Sequence, residues 1–216
     1  PESVRLLTEM LNEQGRFRVF SAPGGKEGIA LVARRRPDLI LLDWWYEADL
    51  DYDRVSRFAQ AGLEFLVCPG TSSWNSLFPR VENSLINISR WAAAGRRHGA
   101  RGLVVTDWGD FGHYNLQGNS WLAFAWAAQE SWSGASEPER FDRAFSRQLF
   151  GDARGETARL YRELGAVHDP GFAMFNGSPL QYLFFDDLQT AYFLSACQAA
   201  ALVRAITRLE RVQRRI

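Results

Sequence analysis

Two strand-like segments, each ending in a loop of polar and aromatic residues, constrain the fold of this chain most strongly. Residues 63–68 form a run that is apolar except for Glu64, and residues 69–75 after them include a proline, a glycine, two serines and a tryptophan. Residues 102–106 are a second such run, followed at residues 107–115 by two aspartates, a tryptophan and a histidine. A helical pattern follows each loop. Because parallel α/β folds build their sites where strands end, the pattern predicts parallel βα units with a functional face there.

The same alternation of helices and strands extends along the rest of the chain. The spacing of apolar residues separates the two kinds of element, and Gly and Pro mark their ends. Asp51 is the expected cap of one helix. The predicted strands are 17–21, 38–43, 63–68 and 102–106; the predicted helices are 2–15, 26–36, 49–62, 80–98, 120–132, 137–150, 156–164 and 187–215, and residues 169–183 are predicted to form a loop.

The charge balance of the chain disfavours nucleic-acid and membrane partners. Lys and Arg number 25 and Asp and Glu number 25 among 216 residues, so the formal net charge is zero. A neutral chain has no field to attract polyanions or an anionic membrane surface. No apolar run is long enough to span a bilayer. Because no signal peptide is visible at the start, we expect a cytoplasmic protein.

The cysteines and histidines are not spaced for a disulfide framework or a metal site. Cys68 and Cys197 both lie in apolar segments, where buried free thiols are expected. The three histidines, at positions 98, 113 and 168, are far apart in the chain, which disfavours a histidine metal centre. We therefore expect no metal and no other cofactor.

Three runs near the start of the chain form one set: residues 1–11 (PESVRLLTEML), 17–22 (FRVFSA) and 36–43 (RPDLILLD). Together they resemble the first helix, second strand, second helix and third strand of the flavodoxin-like receiver domain of response regulators. The resemblance implies that Asp43 is the phosphoacceptor. The family's first strand, with its Mg²⁺-binding acid pair, has no counterpart here, and neither do its later Thr/Ser and Lys. Because one carboxylate holds Mg²⁺ poorly, receiver signalling is disfavoured.

A second set of runs comprises residues 43–49 (DWWYEAD), 68–75 (CPGTSSWN), 83–88 (NSLINI) and 106–113 (TDWGDFGH). These runs resemble the carboxyl-terminal half of the (β/α)8 catalytic barrel of β-N-acetylhexosaminidase-type glycoside hydrolases. The resemblance covers residues 43–135, and residues 136–216 look like the helical tail that follows such a barrel.

This second resemblance implies part of a sugar pocket without the family's catalytic pair. Trp74 and Trp108 would stack on a sugar ring. The family uses an adjacent Asp-Glu pair for substrate-assisted hydrolysis, and the chain contains no Asp-Glu dipeptide. Any catalytic acid must therefore be a surrogate. The surrogate candidates are Asp107, Asp110 and Glu47, and the remaining pocket candidates are Asn75, His113, Trp44 and Tyr46.

The two resemblances meet at Asp43, which ends one set and begins the other. A deliberate splice explains this switch better than a natural crossover, so we interpret the chain as a chimera. Its parts are a receiver-like fragment (1–43), half-barrel βα units (44–135) and a helical extension (136–216). The predicted fold is α/β, with parallel βα units forming half of a TIM-type barrel. Four strands would leave open edges and an apolar inner face, so a homodimer is expected.

Three functions remain open from the sequence. The first is a barrel-like protein without native catalysis and with at most weak sugar binding. The second is a divergent glycoside hydrolase acting on N-acetylhexosaminides. The third is a receiver-like signalling module phosphorylated at Asp43. The missing Asp-Glu pair disfavours the second and the missing acid pair disfavours the third, so the first is favoured, and whether the chain is an enzyme stays undecided.

Overall fold

The computed structural model describes residues 25–35, 41–134, 137–168, 176–185 and 199–215. Within these residues, short parallel strands alternate with helices, and further helices follow the last strand. The elements are α1 (Gly25–Arg35), β1 (Leu41–Trp44), a 3-10 helix (Tyr52–Val55), α2 (Ser56–Gln60), β2 (Phe65–Cys68), α3 (Val81–His98), β3 (Gly102–Leu103), two 3-10 helices (Asp110–Gly112 and Gln117–Ser120), α4 (Trp121–Ser133), α5 (Pro138–Phe150), α6 (Glu156–Gly165), α7 (Pro179–Phe185) and α8 (Ala199–Gln213).

The described strands form one parallel sheet in the order β1-β2-β3. Leu41 pairs with Phe65, and Leu66 pairs with Gly102. The ladder continues beyond β3, because the Thr106 N–H donates to the Pro69 carbonyl at 2.9 Å. The α/β class predicted from the sequence is confirmed in this sheet. The strand predicted at 17–21 lies outside the described residues.

Helix α3 is the centre of the packing because an apolar cluster lies on each of two sides of it. Trp91 packs with Val67 in a cluster between the sheet and α3. Ile88 packs with Trp126 and Phe145 in a second cluster, formed by α3 with α4, α5 and α6. A helix buried on two sides holds the neighbouring loops in fixed positions. The loops at the carboxyl ends of the strands are therefore in direct contact with α3, for example through the hydrogen bond from the Gly70 N–H to Asn87.

Local signals set most of the helix ends. Gly99 has φ +75°, the left-handed conformation that ends α3, and the structure confirms this helix close to its predicted bounds. The side chain of Asp51 accepts from the Asp53 N–H at 3.1 Å, as a cap does. The helix predicted over 49–62 is shorter in the structure: a 3-10 turn at Tyr52–Val55 continues directly into α2, which ends at Gln60.

The loop predicted over 169–183 is wrong from Pro179 onward, where α7 begins. Proline lacks an N–H and has a fixed φ, so it is well suited to the first turn of a helix as well as to a loop. The long helix predicted over 187–215 is described only as α8, and the helix predicted over 2–15 lies outside the described residues. No described helix is long and apolar enough to cross a membrane.

Candidate functional site

The loops that follow β1, β2 and β3 bring four of the predicted site residues together. The rings of Tyr46 and Trp74 meet edge to face, with centroids 4.5 Å apart. The Trp108 indole N–H donates to the Tyr46 hydroxyl at 2.6 Å. Asp107 precedes Trp108 and contacts the loop that carries Trp74. The structure therefore assembles a cluster of aromatic and acidic side chains at the strand ends.

Trp108 is held in place while part of its ring stays in contact with solvent. Besides Tyr46, the Thr106 hydroxyl accepts from its indole N–H at 3.2 Å. The Trp108 side chain is nevertheless 46% exposed, and Trp44 at the end of β1 is 56% exposed. Because the polar atom of Trp108 is satisfied within the protein, its exposed part is apolar ring surface. Such surface is suited to stacking.

Trp74, in contrast, lies within the core. Its side chain is 1% exposed, and its indole N–H donates to Asn176 Oδ1 at 2.8 Å. The ring lies directly on the backbone of Gly70, where an added Cβ would come within 2.4 Å of it. The ring has no exposed face for a sugar, so the predicted stacking role of Trp74 does not fit its position.

Asp107 joins two of the strand-end loops. Its Oδ1 accepts hydrogen bonds from the Thr71 hydroxyl at 2.6 Å and from the Ser73 hydroxyl. Both hydroxyl groups belong to fully buried residues. Hydrogen bonds to a carboxylate are short and strong, so this arrangement fixes the loop after β2 against the loop after β3.

Glu47 forms a mostly buried ion pair. Arg80 NH1 and NH2 donate to its two carboxylate oxygens at 3.0 and 2.8 Å. The backbone N–H of Asn176 donates to Glu47 Oε1 at 2.8 Å. The Glu47 and Arg80 side chains are only 17% and 11% exposed. Both carboxylate oxygens therefore serve the connection between β1, α3 and the segment around Asn176.

The other predicted residues lie at the margin of this cluster. Asn75 is buried, and its Nδ2 donates to the Asn176 carbonyl at 3.2 Å. His113 has φ +50°, and its Nδ1 lies 3.0 Å from the Trp108 carbonyl oxygen, to which it donates when protonated there. Asp110 is exposed and begins the 3-10 turn that precedes His113.

Asp43 is paired with an arginine as well. Arg54 donates to both of its oxygens, from Nε to Oδ2 at 3.0 Å and from NH2 to Oδ1. A phosphoacceptor needs a free oxygen and a neighbouring metal site. Among the described residues, no group of three or more His, Cys, Asp or Glu side chains is arranged to hold a metal ion.

Two asparagines of α3 that the sequence reasoning missed form hydrogen bonds with the strand-end loops. Asn87 Oδ1 accepts from the Gly70 N–H at 3.1 Å, and its Nδ2 donates to the Trp45 carbonyl at 2.9 Å. Asn83 makes corresponding contacts with Tyr46 and Ala48. Residues four apart lie on one helix face, so a pair of asparagines beside an apolar stripe is the signal that could have identified them.

His168 is partly buried beside the same loops. Its Nδ1 is 2.7 Å from Ser178 Oγ, and its Nε2 is 3.2 Å from the Pro79 carbonyl oxygen. Burial, assisted by the positive charge of Arg80, lowers the pKa of His168 to about 4. The imidazole is therefore neutral at pH 7, donates from Nε2 to Pro79 and accepts from the Ser178 hydroxyl.

No protein-family model matches this chain, and no match is found among curated proteins. The fold and the strand-end cluster define an α/β protein whose acidic site residues are largely engaged in internal contacts. Its function must therefore be argued from the geometry of that cluster and from the resemblances carried by the sequence.

Proposed function

We propose that this chain is a barrel-like α/β protein that binds carbohydrate weakly at its strand ends and does not hydrolyse it. The exposed, immobilised ring of Trp108 is the observation that carries the proposal. Stacking on a sugar ring needs an apolar face in a fixed orientation, and Tyr46 and Thr106 supply that orientation. The resemblance to hexosaminidase-type glycoside hydrolases provides the choice of ligand class.

The positions of the carboxylates favour binding without catalysis over a divergent glycoside hydrolase. A general acid must present a proton to the leaving oxygen within hydrogen-bond reach. Glu47 has both oxygens on Arg80, and Asp107 accepts from two buried hydroxyl groups. The receiver-like alternative is less well supported, because Arg54 engages both oxygens of Asp43.

The proposal includes a half barrel that pairs with a second copy. Sequential parallel strands are neighbours in a barrel, as β1, β2 and β3 are here. Leu42 and Val104 are 50% and 42% exposed, which leaves apolar surface on the open sheet face. Analytical ultracentrifugation should show a dimer that Leu42→Asp converts to a monomer. A monomeric parent protein at micromolar concentration would contradict the pairing.

Saturation-transfer NMR with N-acetylglucosamine oligomers tests the sugar-binding proposal. Loss of one stacking contact of about 0.5–1.5 kcal/mol should weaken binding about two- to tenfold in Trp108→Ala. Trp132→Ala is the matched control, because Trp132 is 94% exposed in the last turn of α4, away from the strand ends. Equal binding by the parent and Trp108→Ala would refute the proposed role of Trp108, and absence of binding by the parent would refute the function.

A further inference from the structure

A second cleft lies between α1, β1 and α2, outside the cluster around Trp108. Its volume is about 650 Å³, within the range of pockets that hold small organic molecules. The residues that line it are Lys26, Ile29, Asp43, Arg54, Arg57 and Phe58.

The cleft carries an excess of positive charge. The Arg54 guanidinium and the Asp43 carboxylate form a bidentate pair, so their charges cancel locally. Lys26 and Arg57 are exposed, and neither has an ion-pair partner among the residues that the structure describes. The chain as a whole is neutral, so two cations at one cleft that have no ion-pair partner in the described part of the chain form a local feature rather than a general basic surface.

The cleft is also lined by two apolar side chains. Ile29 of α1 and Phe58 of α2 are both partly buried. The Phe58 ring packs against Phe65 with centroids 5.6 Å apart, so its position is fixed by the core. A ligand in the cleft therefore has both apolar and cationic side chains within reach, and α1 and α2 each supply one of each kind.

We propose that this cleft binds a small phosphate monoester with a flat apolar body. A phosphate monoester carries a charge of about −1.5 to −2 at pH 7, which matches the positive charges of Lys26 and Arg57. Arginine and lysine both bind phosphate oxygens through charge-assisted hydrogen bonds. The apolar body packs on Ile29 and Phe58. The site needs no covalent step at Asp43 and does not depend on carbohydrate binding at Trp108.

Phenyl phosphate is the probe, titrated into the full chain and followed by phosphorus NMR. The double variant Lys26→Gln/Arg57→Gln should raise the dissociation constant at least about tenfold, the effect of losing one or more charge-assisted contacts. Arg140→Gln controls for the loss of a positive charge elsewhere on the surface, because Arg140 is an exposed arginine of α5 and does not line the cleft. It should leave binding unchanged. Circular dichroism checks folding, and if the double variant does not fold, Lys26→Gln alone replaces it.

Inorganic phosphate tests the contribution of the apolar residues separately from that of the cations. We expect it to bind more weakly than phenyl phosphate, because it has no apolar body. Equal affinity for the two probes would overturn the role of Ile29 and Phe58, and with it the assignment of an organic phosphate. Unchanged binding in the charge variants, or an equal loss in Arg140→Gln, would overturn the site itself.

Discussion

Glu47→Gln distinguishes a structural carboxylate from a catalytic one. The substitution keeps the shape of the side chain and removes the charge that Arg80 contacts through two hydrogen bonds of 3.0 and 2.8 Å. The Arg80 side chain is only 11% exposed, so water replaces the lost partner poorly. A structural role predicts a loss of stability, whereas a catalytic acid in an open site would be replaced with little effect on folding.

The expected loss follows from the burial of the pair. Breaking a fully buried ion pair costs about 3–5 kcal/mol, and an exposed pair contributes about 0–1 kcal/mol. Glu47 is 17% exposed, and glutamine still offers one acceptor to Asn176, so we expect a loss of about 2.5 kcal/mol. At about 2–4 °C per kcal/mol for a chain of this size, the melting temperature should fall by about 5–10 °C.

A double-mutant cycle measures the interaction energy of this pair by urea unfolding of the parent, Glu47→Gln, Arg80→Met and the double variant. The double variant should lose less stability than the two single losses added together. Asp142→Asn is the control, because Arg162 contacts Asp142 through two bonds of 2.7 and 2.8 Å at a more exposed position. Its loss should be smaller, about 1 kcal/mol. If Glu47→Gln leaves the unfolding midpoint unchanged, the structural assignment is refuted.

Three further predictions follow from burial. Burial lowers the pKa of His168 from 6.5 to about 4, so the unfolded chain binds a proton at higher pH than the folded chain does. The free energy of unfolding should therefore fall as pH drops from 6.5 towards 4. Urea midpoints should show this fall, and His168→Gln should reduce it. Burial raises the pKa of Cys68 to about 11, so mass spectrometry should find it unmodified by iodoacetamide at pH 8 until urea is added. Gly165→Ala would place a Cβ 2.4 Å from Val81 Cγ2 and should cost about 1–3 kcal/mol in thermal unfolding, whereas Gly118→Ala, with no neighbouring atom within 4 Å, should not.

The sequence predicts the helices and strands around the site well because their signals are local. The apolar stripe of α3 and its terminal Gly99 define one helix without reference to the rest of the chain. The apolar run at 63–68 predicts β2, and its polar continuation predicts the strand-end loop. Pro179 shows the limit of such signals, since the same residue is found both in loops and at helix starts.

The positions of individual site residues depend on contacts between distant parts of the chain. Trp74 is buried, and its indole N–H donates to Asn176, which is 102 positions away in sequence. Glu47 and Arg80 are 33 positions apart, and the pairing is visible only once β1 and α3 are packed. Tryptophan is found both in cores and on binding surfaces, so residue type alone does not decide between the two. The sequence could therefore identify the strand ends but not divide their side chains between core and surface.

Hydrolysis of a chromogenic N-acetylglucosaminide tests most directly whether the strand-end carboxylates are structural. The parent chain is assayed beside Asp107→Asn and Glu47→Gln, each first shown to be folded by circular dichroism. We expect the parent to show no turnover above buffer, because both carboxylates are engaged in internal hydrogen bonds. Turnover by the parent that both variants lose would show that these acids form an active site and would contradict binding without catalysis.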